Sequence, residues 1–89
     1  MVVLTAGLNA DDVTIGAGST LGNSGNNAIS VGGSWTNAGT FTSGNSTVTF
    51  DAADTGHTIT SDGDSFYSLV FNGAGGAWTL QDAVTATSI

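Results

Sequence analysis

The sequence predicts an all-β protein wound as a short parallel β-solenoid of about four coils. Three observations predict it. A shift of about 21 residues superposes Val48-Thr49-Phe50-Asp51 on Leu69-Val70-Phe71-Asn72 and His57-Thr58-Ile59-Thr60 on Trp78-Thr79-Leu80-Gln81, which is the signature of stacked repeats. Apolar and polar residues alternate in short runs, and no window carries the i, i+3, i+4, i+7 pattern of a helix. The shift also places like on like: Phe50 meets Phe71, Ile59 meets Leu80 and Val48 meets Leu69. Such columns build apolar ladders inside a winding whose coils lie about 4.8 Å apart. An antiparallel β-sandwich is the alternative architecture, with Asp62-Gly63 and Asn72-Gly73 closing hairpins, but a sandwich gives no reason for the repeat.

The elements follow in order. Met1–Ala10 is either a short cap or the start of another coil. Val13–Ile15, Ser19–Leu21, Ala28–Val31, Ser34–Thr36 and Thr40–Thr42 are short alternating runs separated by glycine, serine and asparagine. Thr47–Asp51, His57–Ser61, Ser65–Asn72, Ala77–Gln81 and Val84–Ile89 carry the clearer repeat. Gly22-Asn23-Ser24-Gly25-Asn26-Asn27, Gly44-Asn45, Asp62-Gly63 and Asn72-Gly73 supply residues that tolerate positive φ, so each can turn the chain sharply. Residues 1–89 read as one module, either a segment of a longer repeat protein or a subunit that stacks on itself, because Val84–Ile89 is strand-like and has no closing turn.

Composition narrows the function classes. The 89 residues hold seven aspartates, no lysine and no arginine, for a formal charge of −7. A chain without cationic side chains cannot neutralise phosphates, which argues against nucleic acid and against attraction to anionic lipid. No apolar run approaches the ~20 residues of a membrane-spanning helix. There is no cysteine, so neither disulfides nor thiolate chemistry are available. Low charge with abundant threonine, asparagine and glycine suits an extracellular β-structure, and 39% hydrophobic residues in alternating positions argue against a flexible linker.

The run from Asn27 to Phe41, with Gly33-Ser34-Trp35-Thr36-Asn37-Ala38-Gly39-Thr40-Phe41 at its centre, resembles bacterial β-strand-repeat exoproteins of the filamentous-haemagglutinin and autotransporter-adhesin type. Ser46–Asp51, Thr58–Thr60 and Ser65–Asn72 continue the pattern, so the resemblance covers about residues 12 to 89. It implies a secreted or surface-attached right-handed β-helix that serves as a stalk or adhesive surface, and it carries no catalytic residues. The expected role is structural or adhesive, with the chain itself as partner, end to end. The alternative is a binding face for surface glycans, calcium or ice.

A few residues carry groups capable of chemistry. His57 is the one general base near neutral pH, with Ser61, Ser65 and Asp54 near it in sequence; no nucleophile-elbow motif is present, and the repeat sets His57 where Trp78 stands, a packing position. No enzyme is expected. Asp62 and Asp64 flank Gly63, and the repeat brings Asp82 above Ser61, so Asp62, Asp64 and Asp82 form the candidate calcium site. No other cofactor is implied. Thr40/Thr42, Thr47/Thr49, Thr58/Thr60 and Thr85/Thr87 form Thr-x-Thr pairs, whose uneven spacing predicts amphipathic alternation in place of an ice-binding array with one pair per coil. Trp35, Trp78 and Tyr67 are the aromatic candidates for stacking on sugars, with burial expected for Trp78.

Overall fold

The computed structural model describes residues 2–88, and within them the chain is all-β. The strands are β1 (Val2–Val3), β2 (Leu8–Ala10), β3 (Val13–Ile15), β4 (Thr20–Gly22), β5 (Ile29–Val31) and β6 (Trp35–Asn37). They continue as β7 (Thr40–Thr42), β8 (Thr47–Phe50), β9 (His57–Thr60), β10 (Phe66–Phe71), β11 (Trp78–Leu80) and β12 (Ala86–Ser88). Every strand pairing is parallel, which excludes the antiparallel sandwich. Three sheets run along the winding: sheet I is β1-β4-β7, sheet II is β2-β5-β8-β10-β12, and sheet III is β3-β6-β9-β11. From β2 to β7 the chain passes from sheet II to III to I in each coil, and beyond β7 it alternates between sheets II and III, a β-solenoid of about four coils.

The predicted ladders are present. Val48 pairs with Leu69 and Phe50 with Phe71 in sheet II, and His57 pairs with Trp78 and Ile59 with Leu80 in sheet III. Of Met1–Ala10, for which the sequence left a cap or a coil open, the described residues 2–10 start another coil: β1 pairs with β4 and β2 with β5. These two strands are too short to register as an alternating run, and only their stacking partners make them strands.

Alternation along each strand turns one set of side chains inward. Ile29, Val31, Trp35, Val48, Phe50, Ile59, Phe66 and Leu69 are essentially fully buried. Each such aliphatic or aromatic side chain contributes about 1.5–3 kcal/mol by leaving water. The core changes character along the axis. Leu8, Val13, Ile15 and Leu21 make its first coil aliphatic, whereas Trp35, Phe41, Phe50 and Phe66 form an aromatic cluster further along. Trp35 meets Phe41 edge to face at 4.8 Å between centroids, the arrangement that ring quadrupoles favour.

Corners are made by side chains that bond the backbone of their own turn or of the neighbouring coil. Asn23, wholly buried, donates Nδ2–H to the Asn27 carbonyl and accepts the Asn27 N–H, while Asn27 Nδ2 donates to the Leu4 carbonyl. Asn26 Oδ1 accepts the Asn45 N–H at 2.7 Å. Asp62 and Gly63 both have positive φ (54° and 79°), as an Asp-Gly turn requires, and Asp64 N–H closes that turn onto the Ser61 carbonyl. The turn makes a corner between parallel strands and closes no hairpin. Gly73 is needed for a different reason. A Cβ there would run into the Ala52 carbonyl one coil below, so the corner admits only glycine.

Candidate functional site

Of the three candidate calcium ligands, Asp64 and Asp82 spend carboxylate oxygens on the protein. Asp82 Oδ1 accepts the Ser61 N–H (2.9 Å) and the Ser61 hydroxyl (3.0 Å), and Asp82 Oδ2 accepts the Asp62 N–H (2.7 Å). The repeat therefore placed Asp82 correctly above Ser61. Those N–H donors hold the Asp82 carboxyl below the usual carboxylate range, Ser61 contributing most. Asp64 turns to the other side, where Oδ2 accepts the Phe41 N–H (2.8 Å) and Asn37 Nδ2–H (2.7 Å). Asp62 is exposed, at the tip of the turn. Among the described residues no group of three or more His, Cys, Asp or Glu side chains converges as a metal site.

Asp64 serves a structural purpose that spacing alone did not reveal. Sheet I stops at β7, and the third coil has no strand there. The Phe41 N–H, which would otherwise face an empty edge, finds the Asp64 carboxylate, and Phe66 covers the Phe41 ring at 5.7 Å. A side chain thus substitutes for a strand, and the third wall is finished by an aromatic plug.

His57 Nε2 lies 2.5 Å from Asp54 Oδ1, a pair that is ionic when the imidazole is protonated. The contact with His57 also lowers the Asp54 carboxyl pKa. Ser61, a candidate nucleophile by sequence proximity, instead donates its hydroxyl to Asp82 and the Ala83 carbonyl. No bond joins His57 to a serine among the described residues, so the structure brings His57 together with Asp54 and with Trp78 above it, and with no serine.

Threonines stack more regularly than their sequence spacing suggested. Thr14 pairs with Thr36 and Thr36 with Thr60, one per coil on the outside of sheet III. The Thr-x-Thr pairs are unevenly spaced because they lie on different sheets, Thr40/Thr42 in sheet I, Thr47/Thr49 in sheet II and Thr58/Thr60 in sheet III. The neighbouring column is already engaged: Ser34 Oγ accepts the Thr58 N–H, and Asp12 Oδ1 accepts the Ser34 N–H.

The apolar feature left most open lies at the β11 end of the winding. At the β11 end, β12 covers Phe66–Ser68 of β10, and Val70, Phe71 and all of β11 carry no strand above them among the described residues. Phe71 is 41% and Leu80 52% exposed although both occupy inward columns. Trp78, expected to be buried, is only half-buried, and its Nε1–H has no partner among the described residues. These side chains and the Gly76-Ala77 corner border an opening of about 420 Å³. At the β2 end, Leu8, Ala10, Val13, Ile15 and Leu21 line a concavity of about 390 Å³. Trp35 is wholly buried and Tyr67 stands alone on the outer surface, so the sugar-stacking candidates are not gathered in one place. No family model, curated protein or solved structure matches this chain.

Proposed function

We propose that this chain is a structural module of an extracellular or cell-surface repeat protein and that it associates with copies of itself end to end. The observation that supports this most directly is the apolar end at β11, which carries no further strand among the described residues. A parallel edge strand displays backbone donors and acceptors that only another strand in register satisfies, and here Phe71, Trp78 and Leu80 stand beside such an edge. Head-to-tail contact between unlike ends does not close on itself, so it propagates as a filament or stalk. The resemblance of residues 12–89 to adhesin-type β-strand repeats supports the same role. Backbone pairing and side-chain ladders carry it, without catalysis and without a cofactor.

Mass measured by light scattering across a wide concentration range tests the reading. Growth of mass with concentration, abolished by Leu80→Asp, is expected. A single monomeric mass for the unaltered chain at every concentration overturns it.

A further inference from the structure

Of the seven asparagines, Asn72 is the one followed by glycine. Glycine has no side chain to obstruct its nitrogen, so an Asn-Gly pair lets the amide carbon and the next backbone nitrogen meet most easily. The structure singles out the same residue on other grounds. Asn23 and Asn37 are buried and donate their amides to backbone carbonyls, Asn27 donates to Leu4, and Asn26 accepts the Asn45 N–H. Asn9 is followed by Ala10, and Asn45 by Ser46, whose N–H is held by the Ser43 carbonyl. Asn72 is exposed, and among the described residues neither its side chain nor the Gly73 N–H has a hydrogen-bond partner.

We propose that Asn72-Gly73 is a self-modification site, at which Asn72 loses its amide and becomes aspartate or isoaspartate without an enzyme. The Gly73 nitrogen, its proton taken by water, attacks Asn72 Cγ. The Cγ–Nδ2 bond breaks, ammonia leaves and a cyclic imide closes. A second water then opens the ring. Cleavage between Cγ and the Gly73 nitrogen leaves aspartate. Cleavage between the Asn72 main-chain carbonyl carbon and that nitrogen leaves isoaspartate, whose main chain runs through Cγ and is one carbon longer. Water enters, ammonia departs and nothing is oxidised. Neither a partner nor a second copy of the chain takes part.

Both products disturb the corner between β10 and β11. Asn72 stands over Asp51, because Phe71 pairs with Phe50 and the Asn72 N–H bonds the Phe50 carbonyl. Asp51 stands over Gly32, and Gly32 over Asp11. A Cβ at Gly32 would touch Asp11 Oδ1 (3.5 Å) and Asp51 Oδ1 (3.7 Å), so both carboxylates border the same gap. Aspartate at position 72 adds a third negative charge to this column, about 4.8 Å above Asp51, with no lysine or arginine to offset it. Isoaspartate does more. Gly73 and Gly76 lie against the Ala52 carbonyl with no space for a Cβ, and the Gly76 N–H closes the turn on the Gly73 carbonyl (3.0 Å). An extra main-chain carbon does not fit there. The corner lifts from Ala52, and β11, which pairs with β9 through Trp78, Thr79 and Leu80, loosens with it.

Prolonged incubation of the folded full chain in warm neutral buffer tests the site. Chymotrypsin cuts after Phe71 and Trp78, and mass spectrometry of fragment 72–78 reads the exchange of amide for acid. Labelling by an isoaspartyl methyltransferase reads isoaspartate. Asn72 is expected to convert at least several-fold faster than any other asparagine. Asn72→Gln, whose longer side chain closes its ring far more slowly, is expected to show no labelling in this fragment. Asn72→Asp separates charge from rearrangement: its melting temperature falls below that of the parent and recovers with salt. The aged chain melts lower still, and salt does not restore it. Retention of Asn72 in the folded chain while a urea-unfolded chain loses it overturns the proposal, because the corner then protects the bond. Earlier conversion of another asparagine overturns it too. An aged chain that melts like Asn72→Asp at every salt concentration overturns the loosening by isoaspartate and leaves the modification standing.

Discussion

The ring of Phe71 lies on that of Phe50, their centroids 5.5 Å apart and their planes only 19° from parallel. The two residues are register partners in adjacent coils, yet Phe50 is wholly buried and Phe71 is largely open. One column therefore contains a core position and an end position, and the same substitution has different consequences at each.

Phe50→Ala removes a ring that touches Trp35, Phe66, Phe71 and Trp78, and it is expected to cost about 3–5 kcal/mol of stability. Phe71→Asp leaves a charge in solvent beside the edge, so the fold persists and association is lost. Denaturant unfolding followed by circular dichroism, together with sedimentation, separates the two outcomes. Equal loss of structure in both variants would show that the end of the ladder is as essential to folding as its middle.

The fold was legible because like residue types recur 21 residues apart in the last coils: Phe50 and Phe71, or Ile59 and Leu80, identify their own partners. The first coils were harder to place, because Leu8 pairs with Ile29 and Val13 with Trp35, which share only apolar character. The end position of Phe71 and Leu80 was hidden for a physical reason. An inward-facing residue looks the same in sequence whether or not another coil lies above it. Asp64 resembles a calcium ligand in sequence because Asp62 and Gly63 stand next to it. Its partners, Asn37 and the Phe41 N–H, lie about a coil away in sequence and form no motif with it.

Asp64 should matter to stability through the unfinished edge of sheet I. Asp64→Ala strands the Phe41 N–H and one Asn37 donor, at an expected cost of about 1–3 kcal/mol. Asp64→Asn retains an acceptor oxygen and should recover part of that loss. Midpoints of urea unfolding for the two variants decide it; an Asp64→Ala midpoint equal to that of the parent would mean that water caps the edge equally well.

Calcium should leave the melting temperature unchanged. Binding at Asp62, Asp64 and Asp82 would require Asp82 to release Ser61 and Asp62 and Asp64 to release Phe41. A ligand that binds only the folded state raises its stability in proportion to the logarithm of concentration over Kd, so millimolar calcium against a chelator is a sensitive comparison. A rise of several degrees with calcium would restore the cluster as a metal site.

Acid should destabilise the chain through Asp82 and Asp54. Both carboxyls are held below their ordinary value in the folded state, by the Ser61 and Asp62 N–H groups and by His57 respectively. Groups depressed in this way bind protons more weakly folded than unfolded. Their contribution is complete above the unfolded carboxylate pKa of about 3.9 and is lost as pH falls through the lower folded value. Asp82→Asn is expected to flatten the acid limb of stability against pH, measured by thermal unfolding at successive pH values. An unchanged limb would assign acid sensitivity to other groups.

Salt should promote association. Each copy carries a formal charge of −7 with no lysine or arginine to offset it, so stacking two copies brings like charges together. Asp11 and Asp12 lie beside β3 at one end of the winding, and Asp82 follows β11 at the other. These charges are exposed or half-exposed, where screening acts strongly: the Debye length shrinks from about 30 Å at 0.01 M salt to about 10 Å at 0.1 M. The apolar contacts of Phe71, Trp78 and Leu80 do not weaken over that range. The apparent association constant should therefore rise with sodium chloride, and Asp11→Asn with Asp12→Asn should reduce the dependence. Sedimentation at a series of salt concentrations measures the slope, and association that weakens with salt would mean that ionic attraction holds the copies together.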